Sequence, residues 1–423
     1  MQLTNIIKKL KKDRDKRKLL ENFISLSILQ SVNYILPLVT LPYLVRVLGP
    51  EKFGLIAFAQ SFMQYFVVLT DFGFNLSATR EVAIHRDNKE KLSEIFSSVM
   101  TIKFVLLMIS FMIMSIIVFS FEKFRKDWLI FYFTFGVVVG QVIFPVWFFQ
   151  GMEKMKYITF LNVTAKLIFT LLIFVLIHKV SDYIFVPLIN SFGFLVSGFL
   201  AIWIITKDFK IKFYIINKNT LIKYLKSSFQ FFLSRVSVSL YTSTNTFILG
   251  LFTTEKEVGY YSIAERLYLA LQQFYHPLVN ALYPYVAHKK NICLFKNIFK
   301  ACIFTNIIFI SILFIFSNKL IELIFGIGLE PSAIIFKIFL LSNLVVVPSI
   351  LLGYPFLAAL GFANYANISV ILGSFFHLLG LGILLFLNMI NIYSVAFIVI
   401  ITETLVFIIR LYGIIKHKLW RLN

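Results

Sequence analysis

The sequence predicts an all-α protein that crosses a membrane about twelve times. Of its 423 residues, 59% are hydrophobic and 14% are charged, whereas a soluble domain carries nearer ~25% charged residues. Runs of mainly apolar residues recur along the whole chain. They are as long as the ~20 residues that a helix needs to cross a bilayer. The connections between these runs are short, so no large domain outside the membrane is expected.

The apolar runs divide the chain into two sets of six spans. A basic tail at 1–19 precedes a predicted six-helix bundle at 20–205, and a basic linker at 206–226 precedes a second six-helix bundle at 227–423. The eighth and tenth spans are long enough to predict tilted or kinked helices. The predicted spans are 20–44, 53–77, 95–120, 128–150, 157–178, 183–205, 227–252, 258–287, 292–317, 331–359, 365–388 and 391–415.

The first apolar run is predicted to be a retained span. It is too long for the apolar region of a signal peptide and has no A-x-A cleavage site. In the tail before it, Asp13, Arg14 and Asp15 have the D-x-D form that some glycosyltransferases use to hold a metal. Because such short matches arise freely in charged tails, a solvated basic tail is the favoured interpretation.

Loop charges predict that both termini face the cytoplasm. An even number of spans places both termini on one side, and Lys and Arg concentrate in cytoplasmic loops. The tail, loops and C-terminus on the side of the termini carry 28 Lys and Arg, with Arg410 counted among them, and the opposite loops carry 8. The net charge of +21 is therefore attributed to topology, and no nucleic-acid partner is expected.

A short internal match suggests that the two halves are repeats. Aligning Gly54, at the start of span two, on Gly259, at the start of span eight, also aligns Ala59 with Ala264. Because each half has an even number of spans, the halves would share one topology, which is a common plan in transporters.

Basic residues inside the apolar runs predict a positively charged interior. A charge at bilayer depth costs at least ~2.5–3.5 kcal/mol, so such residues face a bundle interior or a wet cavity. Lys337 lies nearer the predicted outer face, where its stem can snorkel. The basic residues outnumber the carboxylates, which leaves positive charge for an anionic ligand. The basic residues are Lys103, Lys166, Arg235, Arg266 and Lys337, and the carboxylates are Asp71, Glu265 and Glu403.

Polar residues of span two extend the candidate site. Gln60, Gln64 and Asp71 stand at i, i+4 and i+11, which places them on one helix face. That face is expected either to bond a neighbouring helix or to line a transport path. The predicted substrate-binding residues are Arg235, Arg266, Lys103, Lys166, Gln60, Gln64 and Asn75, and the predicted ion-coupling residues are Asp71, Glu265 and Glu403.

Prolines predict bends in several spans. Eight of the ten prolines fall inside predicted spans, with pairs in spans one, eight and ten. A proline frees the carbonyl four residues earlier and bends the helix. The pairs therefore suggest bent helices along a path, and the alternative is the ordinary enrichment of proline in transmembrane helices.

The sequence contains no catalytic or nucleotide-binding motif that would compete with transport. It has no H-E-x-x-H zinc motif, no G-x-x-x-x-G-K-[ST] phosphate loop and no G-x-S-x-G nucleophile elbow. No cofactor is expected. Transport would run downhill or use a proton or sodium gradient.

Four stretches carry a family resemblance: 41–54 (LPYLVRVLGPEKFG), 70–81 (TDFGFNLSATRE), 145–153 (PVWFFQGME) and 259–264 (GYYSIA). They resemble the oligosaccharide flippases of the multidrug/oligosaccharidyl-lipid/polysaccharide (MOP) superfamily, specifically the Wzx-type O-antigen transporters. The resemblance extends over nearly the whole chain. It implies two six-helix bundles around a central cationic cavity that opens alternately to each side.

The same resemblance implies a substrate and a location. The substrate would be a polyprenyl-diphosphate-linked oligosaccharide, such as an O-antigen repeat unit, flipped from the cytoplasmic to the periplasmic leaflet of a bacterial inner membrane. Membrane lipid and other polysaccharide assembly proteins would be the further partners, and no enzymatic activity is expected. A diphosphate needs cations when it leaves water, and sugars need hydrogen bonds and stacking faces.

Two other functions compete with this interpretation. A multidrug exporter of the same superfamily would move cationic compounds, which favour an acidic interior. A membrane enzyme of polysaccharide assembly would be expected to carry a sizeable loop outside the membrane.

Overall fold

The computed structural model describes residues 14–421, and no strand occurs among them. Residues 1–13, which include Asp13 of the D-x-D motif and most of the predicted basic tail, lie outside the described residues. The helices, in chain order, are α1 Arg14–Asp71, α2 Phe74–Ile84, α3 Lys89–Ser120, α4 Glu122–Arg125, α5 Trp128–Ile143, α6 Val146–Gly151, α7 Met155–Leu176, α8 Phe185–Lys207, α9 Lys218–Phe252, α10 Glu255–Gln273, α11 His276–Lys289, α12 Ile292–Phe325, α13 Glu330–Leu352, α14 Ala363–Phe386 and α15 Ile392–Lys416.

The all-α membrane fold is confirmed. Among the described residues, nine helical segments are long and apolar enough to cross a bilayer, and Lys89–Ser120 is the most apolar, with a mean hydropathy of 2.6. Many large apolar side chains on these helices are exposed, as expected for surfaces that face lipid. Each predicted span lies mostly on helical residues, and the total of twelve crossings stays a prediction.

A glycine divides the first two predicted spans. Gly49 has φ 72° and ψ 169° inside the long helix α1, a conformation that is accessible to glycine and strained for other residues. Apart from its chain neighbours and the adjacent backbone of its own helix, no described residue has an atom within 4 Å of the position that a Cβ would take there. The requirement for glycine at this kink is therefore conformational rather than steric.

A second break separates α1 from α2. Phe72 and Gly73 both have positive φ, 45° and 76°, and they end α1 directly after Asp71. The Phe72 ring stacks on Phe232, with a centroid distance of 4.6 Å. Because a new helix begins at Phe74, its first amide N–H groups have no partner inside the helix, and they lie next to Asp71 in the chain.

One proline of span eight and the two prolines of span ten lie at or near irregular backbone, whereas Pro284 of span eight lies inside α11. Pro277 lies in the first turn of α11, directly after the break that ends α10. Pro348 precedes a π-helical turn, Gly353–Ala358, which contains Pro355. Span one differs, because the non-helical residue inside α1 is Gly49, which lies in the connection after that span.

The chain forms two compact units. The first contains the described residues up to Val47 together with Phe62–Val236, and the second contains Leu48–Ser61 and the described residues from Ser237 onwards. The unit limits fall inside α1 and α9, whereas the sequence placed the division in the 206–226 linker. The predicted four-part division of the chain stays a prediction.

Each unit has its own hydrophobic core. The first core gathers Trp147, Phe148 and Phe149 of α6 against α2, α3 and α8. The second gathers α11, α13, the π-helical turn and α15 around Phe356. Within the first unit, α5 and α8 approach closely at Gly140. A Cβ on this glycine would lie only 2.6 Å from the Cβ of Phe194.

The loop-charge count assigned Arg410 to the C-terminal loop, and this assignment is wrong. Arg410 is buried in the second unit, where its Nε donates to Ser369 Oγ at 3.0 Å and one terminal nitrogen donates to the Ser349 carbonyl at 2.6 Å. Arg410 lies near the end of a predicted span, where the sequence does not distinguish a loop from the last turns of a helix. Removing it leaves the direction of the charge asymmetry unchanged.

Candidate functional site

A polar cavity of about 280 Å³ lies inside the first unit. Its walls come from helices that are predicted to cross the membrane, where polar side chains are costly unless they are paired or hydrated. The lining residues are Gln64, Val67, Val68, Thr70, Asp71, Asn75, Lys103, Gln141, Phe144, Val146, Asn162, Phe194 and Arg235.

The cavity brings together half of the residues that the sequence singled out. Gln64 and Asp71 line it from the same face of α1, in agreement with their helical spacing. Asn75 follows from α2, Lys103 from α3 and Arg235 from α9. Residues from four separate helices therefore converge on one space.

One carboxylate and two cations define the charge of the cavity. Asp71 and Lys103 are buried, with 9% and 3% of their surfaces exposed, and Arg235 is exposed. Both cations are close enough for their charges to act on the Asp71 carboxylate. The charges of Lys103 and Asp71 interact across the cavity, and both side chains line the space that a ligand would enter.

The break between α1 and α2 adds partial positive charge beside Asp71. The backbone amides of Gly73 and Asn75, at the start of α2, face the Asp71 carboxylate. Both carboxylate oxygens are buried, and neither completes a hydrogen bond of ordinary geometry with the described residues. A helix N-terminus carries about +0.5 of an elementary charge, which increases the positive potential around the carboxylate.

The net result is a cavity with excess positive charge and uncharged hydrogen-bonding groups. Two cations against one carboxylate leave one positive charge, which attracts an anion more strongly in a low dielectric than in water. The guanidinium of Arg235 offers a planar fork that matches phosphate oxygens, while Lys103 acts as a point charge. The amides of Gln64, Asn75 and Gln141 can both donate to and accept from hydroxyl groups.

The sequence analysis missed two amide residues of this cavity. Gln141 of α5 and Asn162 of α7 line it, and each is a polar residue in an apolar run, which is the property that identified Gln64. Asn162 donates from Nδ2 to the Ile158 carbonyl at 2.9 Å. The same search for polar residues at depth would have found both had it been extended beyond spans one and two.

Three of the five predicted cations, Lys166, Lys337 and Arg266, are not among the residues that line the cavity. Lys166 is half-buried on α7, one turn after Asn162 and on the same helix face. Lys337 is half-buried on α13 in the second unit, with its Nζ 5.8 Å from the centre of the Phe314 ring. The position of Lys337 agrees with a side chain that extends along an apolar surface.

Three more predicted residues form polar contacts within the second unit. Arg266 donates to Gln60 Oε1 at 2.7 Å, and its guanidinium lies 5.3 Å from the centre of the Phe53 ring. Glu265 accepts a hydrogen bond from Thr246 Oγ1 at 2.9 Å. The adjacent residues Glu265 and Arg266 thus have different partners, as expected for side chains ~100° apart on a helix.

A buried histidine links three helices of the second unit. His377 of α14 is fully buried, with Nε2 2.8 Å from Asn245 Oδ1 of α9 and Nδ1 3.0 Å from Thr402 Oγ1 of α15. Glu403, the remaining predicted carboxylate, follows Thr402 and is half-buried. The histidines have no metal-binding spacing in the sequence, and their spacing gives no signal for this contact.

Comparison with known proteins identifies the family. The chain matches the family described as polysaccharide biosynthesis protein over residues 19–290. The protein belongs to this family. It is also 31% identical over 330 residues to an Escherichia coli (strain K12) protein that is named as a candidate O-antigen transporter, and the match covers 77% of this chain and 80% of that relative.

Solved structures support the same assignment at the level of the fold. The lipid II flippase MurJ, in an inward closed conformation, matches with a TM-score of 0.69 and 16% identity, over 94% of this chain and 87% of MurJ. An inward-facing multidrug resistance transporter of the MATE family, within the MOP superfamily, matches with a TM-score of 0.65 and 14% identity, over 95% of this chain and 99% of that one. The predicted resemblance to this superfamily is confirmed.

Proposed function

We propose that this protein flips a polyprenyl-diphosphate-linked oligosaccharide, such as an O-antigen repeat unit, across a bacterial inner membrane. Transport runs from the cytoplasmic to the periplasmic leaflet by alternating access. The family match, the relative named as a candidate O-antigen transporter and the similarity to a lipid II flippase support the substrate class. Other polysaccharide assembly proteins are proposed partners.

The observation that carries this proposal is the charge of the first-unit cavity. Lys103 and Arg235 supply two positive charges against the single carboxylate of Asp71. A diphosphate that leaves water loses strong hydration, and charge-assisted hydrogen bonds from Lys and Arg replace part of it. The prenyl chain needs no such site, because it can stay in the lipid.

The size of the cavity limits what it holds. A volume of about 280 Å³ lies just below the ~300–1,000 Å³ of typical small-molecule sites. The cavity therefore takes a head group or one sugar rather than a complete repeat unit. Gln64, Asn75 and Gln141 are the proposed partners of the sugar or phosphate oxygens.

A buried carboxylate is the proposed coupling group. Asp71 lies within reach of the charge of both cavity cations, so a proton or sodium ion bound to it would change how strongly the cavity attracts a diphosphate. Glu265 and Glu403 are the alternative coupling residues. No enzymatic step is proposed.

A multidrug exporter is the competing function, since the fold is shared with a MATE transporter. Cationic drugs favour an excess of carboxylates at their site. The excess of positive charge in the first-unit cavity favours an anionic substrate instead.

Deletion of the gene tests the proposed function. The lipid-linked glycan should accumulate on the cytoplasmic leaflet, and surface glycan should fall until the gene is supplied on a plasmid. Unchanged surface glycan, together with altered sensitivity to cationic drugs, would support the exporter and contradict the flippase.

A reporter fused after Asn423 tests the orientation. An enzyme that is active only in the periplasm should remain silent there and should become active when it is fused after Phe121, in a predicted outer loop. Activity after Asn423 would reverse the predicted topology and with it the direction of transport.

A further inference from the structure

An extended segment at 208–217 joins α8 to α9 and carries exposed apolar side chains. The chain leaves α8 after Lys207 and turns at Lys210, which has a left-handed φ of 56°. No helix or strand is assigned between residues 210 and 217. We call residues 208–217 the interfacial segment.

Hydrogen bonds and a buried anchor fix the interfacial segment against α3. The Lys212 N–H donates to Ser93 Oγ at 3.2 Å, and the Tyr214 N–H donates to Ser97 Oγ at 2.9 Å. Ile211 is buried in the core of the first unit. The conformation of the segment is therefore held by side chains of a neighbouring helix rather than left to a free linker.

This fixed backbone presents three consecutive large side chains outwards. Phe213 is 60% exposed, Tyr214 is 44% exposed and Ile215 is fully exposed. A contiguous exposed apolar patch in a fixed segment marks a surface that contacts a membrane or another molecule.

The position of the segment places these side chains at the bilayer surface. Val180–Lys207 is long and apolar enough to cross a membrane, so the interfacial segment begins where that span ends. The exposed Trp203, one turn before the end, lies with its ring 5.5 Å from Lys207 Nζ. Tryptophan and lysine at a span terminus are typical of the membrane–water interface.

The charge around the segment is strongly positive. Between residues 206 and 226 the one acidic residue is Asp208, which accepts a hydrogen bond from the Tyr157 hydroxyl at 3.4 Å. This stretch contains six lysines. The four of them nearest in sequence to Phe213–Ile215 are exposed. The lysines are Lys207, Lys210, Lys212, Lys218, Lys223 and Lys226.

We propose that the interfacial segment binds anionic phospholipid in the adjacent leaflet, which the loop charges predict to be the cytoplasmic one. Phe213, Tyr214 and Ile215 enter the boundary between head groups and acyl chains, and the lysines on both sides contact lipid phosphates. Apolar insertion and a basic cluster together give stable attachment where one signal alone is weak. The segment thereby anchors the junction of α8 and α9 to the membrane surface.

Fluorescence quenching by brominated lipids tests this proposal. The probe is a fluorophore on Ile215→Cys in a full-length Cys293→Ser/Cys302→Ser background, reconstituted into phosphatidylcholine bilayers with a fixed fraction of phosphatidylglycerol. Brominated phosphatidylglycerol should quench the probe several-fold more than an equal fraction of brominated phosphatidylcholine. The triple variant Lys210→Gln/Lys212→Gln/Lys218→Gln should remove that difference.

The matched control is a label on Ile327→Cys. Ile327 is exposed in the turn between α12 and α13, and the two brominated lipids should quench this label equally. Equal quenching of the Ile215 probe by both lipids would overturn the selectivity for anionic lipid. An unquenched probe would mean that water or protein covers the segment. Quenching that depends on the protein-to-lipid ratio rather than on the lipid head group would identify a second copy of the chain as the occupant. This result and the unquenched probe would each overturn the proposal.

Discussion

Gly54 and Gly259 pack directly against each other where α1 crosses α10. A Cβ on Gly54 would collide with the Glu255 carbonyl and lie 2.5 Å from the Gly259 nitrogen, and a Cβ on Gly259 would collide with the Pro50 carbonyl. These are the two glycines that the internal repeat aligned. The two glycines that the predicted repeat aligns therefore meet in the folded chain, both within the second unit.

Substitution of either glycine by alanine should destabilise the protein. The atoms in the way belong to the backbone, which cannot rotate aside as a side chain can, and overpacking costs typically ~1–3 kcal/mol. Gly54→Ala and Gly259→Ala should each lower the midpoint of thermal unfolding of the purified protein and its abundance in the membrane.

Gly382→Ala is the matched control for these variants. Gly382 lies in α14, and outside the adjacent part of that helix no atom of the described residues lies within 4 Å of the position its Cβ would take. This variant should unfold at the temperature of the wild type. If Gly54→Ala behaves in the same way, the close helix crossing is incorrect.

The contact between Arg266 and Gln60 should appear as an energetic coupling. A hydrogen bond to a charged group contributes ~1.5–3 kcal/mol, so a double-mutant cycle of Arg266→Ala and Gln60→Ala should give a coupling of about 1 kcal/mol or more in unfolding free energy. Additive effects of the two substitutions would show that the contact is not made.

Glycan export per molecule in the same variants tests the predicted binding role of Arg266. A loss of export in Arg266→Ala that Arg266→Lys partly restores would indicate a substrate contact. Near-normal export per molecule in Arg266→Ala would exclude a role in holding the diphosphate.

If transport is coupled to an ion gradient, one of three carboxylates should carry the coupling. Asp71→Asn, Glu265→Gln and Glu403→Gln are each measured for export with the proton or sodium gradient intact and after its collapse. At least one variant should lose most of its dependence on the gradient while it remains folded, because the substituted amide cannot bind and release a proton. Full dependence in all three variants would place the coupling ion elsewhere.

Arg410 should stabilise the second unit. Its guanidinium bonds Ser349 and Ser369 and lies 3.0 Å from the position of a Cβ on Gly353. Removing one partner of a buried hydrogen bond leaves the other unsatisfied at a cost of ~1–3 kcal/mol. Arg410→Leu should therefore reduce membrane abundance and the unfolding midpoint, and Gly353→Ala should do so to a smaller extent.

Lys416→Gln, on the exposed end of the same helix, is the control for Arg410. It should leave both measurements near those of the wild type. Equal behaviour of Arg410→Leu and Lys416→Gln would mean that the buried contacts of Arg410 contribute no net stability.

The sequence predicted the helical spans well because length and hydropathy are local properties. The kink at Gly49 falls in the short connection expected between spans one and two, and the irregular turn at Gly353–Ala358 falls in the tenth span, which was expected to bend. Arg410 was misassigned because the end of a span does not fix whether a side chain turns inwards.

The composition of the site was harder to predict than its charge. Lys103 and Lys166 were both predicted to bind substrate because each is a cation inside an apolar run, but this position does not specify the direction in which a side chain points. Lys103 lines the cavity, and Lys166 is not among the lining residues. The contact of His377 could not be predicted because its partners come from helices distant in sequence. Gln141, by contrast, is a polar residue in an apolar run, and that local signal was used only in spans one and two.

The most direct test of the account is the affinity of the purified protein for a polyprenyl diphosphate. Lys103→Met and Arg235→Ala each remove one positive charge from the cavity, and a loss of ~1.4 kcal/mol in binding is a tenfold change in Kd. The Kd for the diphosphate should rise at least about tenfold in both variants and stay unchanged in Lys337→Met. The uncharged polyprenyl alcohol should bind weakly to the wild type and to all three variants. Equal affinities of Lys103→Met, Arg235→Ala and Lys337→Met for the diphosphate would contradict the account.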